Sequence, residues 1–355
     1  MSAVGVGLLA TGRDFMTSAS TPPFRVALDA MGGDFGPSET VAGAVIAVAA
    51  GGIHVLLVGD PAEIQAEIDR QSAQNLPLTI VASEDVIRDG ESPLQALRAK
   101  PKASAIVGVG LVKQELADAF VTMGSTGAAM AASAFGLGMM PGIERPGLGG
   151  PMYGLAPKTV LIEMGSSIDC RPSQLINFAA LGVAFARTYL EVPNPRVALL
   201  SVGSEDTKGN KQTKEAFPVF QQSDLNFIGN VEGHDLSVNT ADVVICDGFV
   251  GNILLKTLEG VGVTMAAYIK ERLSGLISEA DATAVSQDVY ALLNRTEHTG
   301  GGPLFGIKGN VIVGHGRARA PGISGAIATA KRLGELSLNA KMAEELAAIR
   351  ASVTV

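Results

Sequence analysis

Apolar, β-branched runs alternate with amphipathic stretches along most of the chain. The runs RVALDA (25–30), IHVLLVG (53–59), LTIVA (78–82), DAFVTM (118–123), TVLIEM (159–164), RVALLSV (196–202), DVVICD (242–247) and NVIVG (310–314) are nearly unbroken in hydrophobicity. Strands covered on both faces read this way, because neither face meets water. Helical spacing fills 38–50, 61–71, 104–116, 126–138, 173–190, 211–222, 251–273 and 322–350, and Asp60-Pro61 and Ser173 after Pro172 mark helix starts. This alternation predicts an α/β chain, a three-layer αβα architecture around a mostly parallel or mixed sheet. No Ser/Gly-rich linker interrupts residues 25–355, so a single α/β unit is expected there.

Residues 251–298 break the rhythm. Their long helical pattern carries an apolar stripe of Ile253, Leu254, Leu258, Val261, Met265, Ile269, Leu273 and Leu276. Such a stripe usually faces a core or a dimer contact. Burial on the sheet is the expectation, with a projecting helical arm as the alternative.

Composition narrows the classes. At 47% hydrophobic, the 355 residues can bury a sizeable core, while a formal net charge of −8 and the lack of Trp argue against nucleic-acid binding. Two cysteines, Cys170 and Cys246, suit a reducing compartment and form no metal or redox spacing. No apolar run reaches the roughly 18 residues of a membrane span. Residues 1–24 have no basic residue ahead of their apolar stretch and read as a disordered extension, with Met16 as a candidate translation start.

The chemistry is expected in the loops beyond the carboxyl ends of the strands, where doubly wound sheets bind ligands. These are DAMGGD (29–34), MGSTGAAM (123–130), GSSIDCRP (165–172), GSEDTKGNKQTK (203–214), GFVGNILLK (248–256) and HGRA (315–318). Gly32 and Gly33, between Asp29 and Asp34, leave backbone N–H groups open to an anion, and Ser125-Thr126-Gly127 sits at a helix start suited to phosphate. Lys208 near Asn210 and Lys256 near Asn252 add charge and donors, and His315 lies between two glycines. Neither a Walker A sequence nor GxGxxG nor GxSxG is present, and the four histidines (54, 234, 298, 315) have no metal-ligand spacing. Cys170 lies at a helix start without a paired base and reads as a small buried thiol.

The loops together carry a resemblance. DAMGGD followed by Gly-Pro, MGSTGA, MGSSIDCRP, LLSVGSEDTKGN, FIGNVEGHDL, CDGFVGNILLKTLEG and GGGPLFGIKGNVIVGHG stand in the order and spacing of one family. From about residue 25 to about 335 the chain resembles the acyl-carrier-protein:phosphate acyltransferases of bacterial phospholipid synthesis. The resemblance implies transfer of a fatty acyl group from acyl carrier protein to inorganic phosphate, with no cofactor. It further implies a fold similar to the isocitrate and isopropylmalate dehydrogenases, with two intertwined subdomains, and a homodimer with peripheral membrane contact.

Phosphate is already an anionic nucleophile and a thiolate leaves readily, so positioning and oxyanion stabilisation are the expected sources of rate. On this reading Lys208 and Lys256 hold phosphate or oxyanion charge, Asn210 and Asn252 donate hydrogen bonds, and Asp247 orients them. Asp29 and Asp34 shape the first loop, and Ser125, Thr126 and Gly127 cradle phosphate.

The chain departs from the family at several positions. Phe35 stands where His is common, Ser125 where Asn is common, His234 where Arg is common, and Glu163-Met164-Gly165-Ser166-Ser167 replaces Asp-Val-Gly-Ala-Asn. Residues 256–298 hold four basic residues (Lys256, Lys270, Arg272, Arg295) against six acidic ones, so attraction to anionic lipid is expected to be weak and the location cytoplasmic. Two alternatives stay open: a phosphate acyltransferase using acyl-CoA, of the acetyl or butyryl type, and a non-catalytic scaffold that kept the fold.

Overall fold

The apolar runs assemble into one sheet. The computed structural model describes residues 22–151, 154, 156–294 and 300–353. The strands are β1 (Phe24–Asp29), β2 (Ile53–Gly59), β3 (Leu78–Ala82), β4 (Ala119–Thr122), β5 (Gly147–Pro151), β6 (Val160–Ile162), β7 (Val197–Leu200), β8 (Phe227–Val231), β9 (Val243–Ile245), β10 (Gly302–Phe305) and β11 (Val311–Val313). They form an 11-stranded sheet in the order β3-β2-β1-β4-β11-β10-β5-β6-β9-β7-β8. The first five of that order are mutually parallel, as are the last four. Between these two groups lie three antiparallel pairings, β11 with β10, β10 with β5, and β5 with β6. The groups therefore run in opposite senses.

Helices cover both faces, which explains the unbroken hydrophobicity of the central strands. They are α1 (Pro37–Ala49), α2 (Pro61–Arg70), α3 (Pro93–Ala99), α4 (Ser104–Lys113), α5 (Thr126–Gly136), α6 (Pro172–Thr188), α7 (Lys211–Gln221), α8 (Gly248–Leu273), α9 (Glu279–Leu293), α10 (Ala320–Glu335) and α11 (Leu338–Ser352). Val26 and Leu28 of β1 join one core with α1, α6, α10 and α11, while Ala27 between them joins a second with α4 and α5. This is the expected three-layer arrangement.

Several elements differ from expectation. β5 (GLGGP) and β10 (GPLF) were not foreseen, because Gly and Pro read as loop; they exist through pairing with β6 and β11. The helix expected over 322–350 is two helices, broken where Ser337 takes φ 53°.

The larger correction concerns the stripe of 251–298, of which only Leu254 and Leu258 pack against the sheet, beside Leu161 and Val244, while its later positions turn outward. Val261, Met265 and Leu276 are exposed, as are Val263 and Tyr268. The buried positions of α8 are small or polar instead: Gly251, Gly262, Ala266 and Glu259, with Leu255. α8 and α9 pack against each other, and a Cβ on Gly262 would lie 2.0 Å from Asn294 Nδ2. Close approach through small residues leaves the large apolar side chains outside. The expected extension and Met16 fall within residues 1–21, outside the described residues.

Candidate active site

β1 delivers Asp29 to a buried position. Its Oδ2 accepts a 2.8 Å hydrogen bond from Thr122 Oγ1 of β4, and its Oδ1 accepts from the Met31 N–H at 3.2 Å. Burial pushes the Asp29 carboxyl above the ordinary range. Gly32 has no room for a side chain: a Cβ there would stand 2.8 Å from Gly124 N. Gly33 takes φ 86°, and the Asp34 N–H donates to Gly316 O at 2.8 Å. The loops after β1, β4 and β11 are thus interlocked, with Asp34 itself exposed.

Phe35 has a clear neighbour. The Arg319 guanidinium carbon lies 3.3 Å from its ring centroid. Arg319 also pairs with Glu39 at 3.0 Å, and the other Glu39 oxygen accepts from Ala320 N at 2.8 Å. An aromatic face here supports a cation, which a neutral imidazole does less well.

Ser125 is the N-cap of α5, its Oγ accepting from Ala128 N at 3.5 Å. Gly127 packs beside Pro93, where a Cβ would meet Cγ at 2.9 Å.

The second wall is built around Glu163, which is fully buried. It accepts N–H groups from Leu148, Gly165 and Ser166 at 3.1, 3.2 and 2.9 Å, and from Ser167. Burial raises its pKa while these donors oppose the shift. The Gly248 N–H donates to Ser167 O at 2.8 Å, and Asp247 caps α8 by accepting from Val250 N at 2.8 Å. The start of α8 is thereby fixed against the loop after β6.

Asn252, Lys256 and Glu259 follow at spacings of four and three residues on one face of α8. Lys256 Nζ donates to Glu259 Oε2 at 2.8 Å, and Glu259 Oε1 lies 3.8 Å from His315 Nδ1. Sequence reasoning missed Glu259, although it stands in the same motif, LKTLEG, three residues after Lys256.

A cavity of about 270 Å³ lies where these loops meet. Thr126, Gly165, Asn252, Lys256 and His315 line it, and Gly149, Gly150, Gly301 and Gly302 of the central strands and their approach add backbone without side chains. Leu148, Met164, Phe185, Tyr189, Leu190 and Leu255 give the same cavity an apolar wall. β5 and β10, which contribute to this lining, pair through Leu148–Leu304 and Gly147–Phe305.

Other predicted residues lie elsewhere. Asn210 caps α7, its Oδ1 accepting from Thr213 N at 2.9 Å, and with Asp247 it lines a separate hollow of about 130 Å³. Lys208 is exposed beside Gly203. Neither Lys208 nor Asn210 borders the larger cavity. Both cysteines are buried; Cys170 is pushed up to about 12 by burial, and Cys246 is raised for the same reason. Neither is a thiolate near neutral pH.

With this geometry in place, similarity to known proteins can be stated. The profile of the fatty acid synthesis protein family matches residues 24–341. A phosphate acyltransferase of Desulforudis audaxviator is 43% identical over 309 residues, covering 86% of this chain and 91% of the relative. One from Trichodesmium erythraeum is 41% identical over 317 residues, covering 88% and 93%. In fold, the chain is similar to a phosphotransacetylase from Streptococcus pyogenes, with a TM-score of 0.55 at 15% identity over 92% of this chain and 94% of the other. The chain therefore belongs to the fatty acid synthesis protein family, as an enzyme of the phosphate acyltransferase type.

Proposed function

We propose that the enzyme moves a fatty acyl group from acyl carrier protein to inorganic phosphate, giving acyl phosphate. The observation that supports this most is the cavity in which Lys256, Asn252 and His315 adjoin an apolar wall. A phosphate oxygen forms a bond to the thioester carbonyl carbon, whose electrons move to its oxygen. Collapse of that oxyanion breaks the C–S bond and releases the phosphopantetheine thiolate, which takes a proton from solvent. Lys256 and His315 hold phosphate charge, while Asn252 and the N–H groups near Gly165 and Thr126 steady the oxyanion. Ser125 and Gly127 hold the start of α5. Asp29, Gly32, Gly33 and Asp34 hold the loops together, and Asp247 fixes α8. Lys208 and Asn210 do not line this cavity and take no part in the step on this reading. The step needs no acyl-enzyme, because phosphate is itself the nucleophile and the thiolate leaves readily.

The test is one assay with phosphate and either acyl-acyl carrier protein or acyl-CoA, with acyl phosphate trapped by hydroxylamine. Turnover with the carrier-protein thioester is expected, and Lys256→Ala should lower kcat/KM by about 10²-fold. Turnover with acyl-CoA alone would reassign the donor. No turnover with either would end the reading, and an unchanged Lys256→Ala enzyme would remove the lysine's role.

The exposed apolar residues of α8 and α9 support a homodimer, with weak contact to a membrane surface from the same region. Among the described residues no helix is long and apolar enough to cross a membrane.

A further inference from the structure

Glu259 is a buried carboxylate that the reaction steps above leave unused. It is 6% exposed, although it stands midway along a helix whose neighbouring positions Gly260 and Val261 face solvent. Burying a carboxylate is costly unless it is paired, so its partners identify its purpose. Oε2 accepts from Lys256 Nζ at 2.8 Å. Oε1 has no hydrogen-bond donor among the described residues and faces His315 Nδ1 at 3.8 Å. Lys256 sits on α8, which follows β9 of one parallel group, while His315 follows β11 of the other. One carboxylate thus stands between two cavity-lining groups contributed by the two oppositely running groups of strands.

We propose that Glu259 is the positioning residue of this site. It bridges Lys256 and His315, accepting a hydrogen bond from the ammonium and facing the imidazole Nδ1 at ion-pair distance. The role in catalysis rests on the acyl-transfer reading; the bridge itself does not. Without the carboxylate the Lys256 ammonium would lose its hydrogen-bond partner, and the half-exposed side chain would turn to solvent. Other charges near His315 are Asp34, close to Gly316, and Arg317 and Arg319 on its own loop. Arg319 is held by Glu39 and Phe35, and Arg317 is exposed. Of these carboxylates, Glu259 is the one measured within 4 Å of the ring nitrogen.

The experiment follows the His315 imidazole by NMR titration in the full chain, its signal assigned by loss in His315→Gln. Glu259→Gln should lower its midpoint by about one pH unit, and Lys256→Ala should raise it, because the neighbouring cation is gone. Lys256 is a half-exposed side chain, so this second variant folds even if the first does not. In the acyl phosphate assay Glu259→Gln should reduce kcat by roughly tenfold or more, since misplaced groups lose rate steeply. Added to Lys256→Ala it should cost less than about threefold further, because both changes break one unit. A midpoint unmoved in Glu259→Gln or in Lys256→Ala overturns the bridge whatever the activity. Additive losses of rate overturn the positioning role. If the unaltered enzyme makes no acyl phosphate while both shifts occur, the acyl-transfer reading fails and the bridge stands.

Discussion

The Arg25–Asp118 pair joins the start of β1 to the approach to β4. Asp118 Oδ2 accepts from the Arg25 backbone N–H at 2.7 Å and from Nε at 3.2 Å, and Oδ1 accepts from Nη2 at 2.6 Å. Partial burial pushes the Asp118 pKa up, but the Arg25 hydrogen bonds outweigh it and the net shift is downward. A lowered folded pKa means that the pair's contribution is complete above the unfolded value of about 3.9 and is lost as pH falls through the folded value. Asp118→Asn should therefore be less stable at neutral pH, and its urea midpoint should fall less steeply as pH drops below about 4. Because the pair is about one-third exposed, solvent screening keeps the effect small. A variant with the parental slope would show that the pair does not titrate with folding.

At the scale of an element, α8 contains two glycines two residues apart with opposite environments. A Cβ on Gly260 meets nothing within 4 Å, whereas one on Gly262 would lie 2.0 Å from Asn294 Nδ2 and 3.1 Å from Leu293 Cβ. Gly260→Ala should stabilise the helix by about 0.5–1 kcal/mol, since the unfolded chain loses freedom and nothing is displaced. Gly262→Ala should cost about 1–3 kcal/mol, because Asn294 is buried and must move. Thermal unfolding would measure both signs. Hydrogen exchange should also show α9 opening more readily in Gly262→Ala alone. If both alanines stabilise equally, α8 and α9 do not pack through Gly262 in solution.

At the scale of the whole molecule, the segment of α8 and α9 exposes apolar side chains and is acidic in balance. Its exposed Val261, Val263, Met265, Tyr268, Leu276 and Ile277 invite association, while six acidic residues against four basic ones across 256–298 oppose anionic lipid. Sedimentation with anionic vesicles should therefore be weak and nearly the same at low and at physiological salt, because apolar contact alone would drive it. Tight, salt-sensitive sedimentation would require a basic surface elsewhere on the protein. The acidic net charge of −8 gives the same sign of expectation for the molecule as a whole.

Sequence alone determined what depends on local periodicity and on short ordered motifs. The mostly apolar strands β1, β2, β4 and β9 were legible because both faces of the sheet are covered, and α1, α2, α6 and α7 because their spacing is local, although Ser173 proves to lie inside α6, which starts at Pro172, rather than to cap it. The strand-end loops were legible as candidate site loops, and Asn252, Lys256, His315 and Thr126 of those loops line one cavity. Tertiary structure decided the rest. β5 and β10 are strands only because neighbours pair with their glycine-rich backbones. The later positions of the α8 stripe face outward because close packing at Gly262 and Ala266 occupies the inward side. Asn210 lies in a hollow between the ends of β7 and β9, whereas Lys256, farther along α8, lines the larger cavity, a separation that spacing along a chain cannot reveal. Glu259 looks like an ordinary helix-surface acid in sequence. Its burial and its nearness to His315 exist only once α8 and the loop after β11 are brought together.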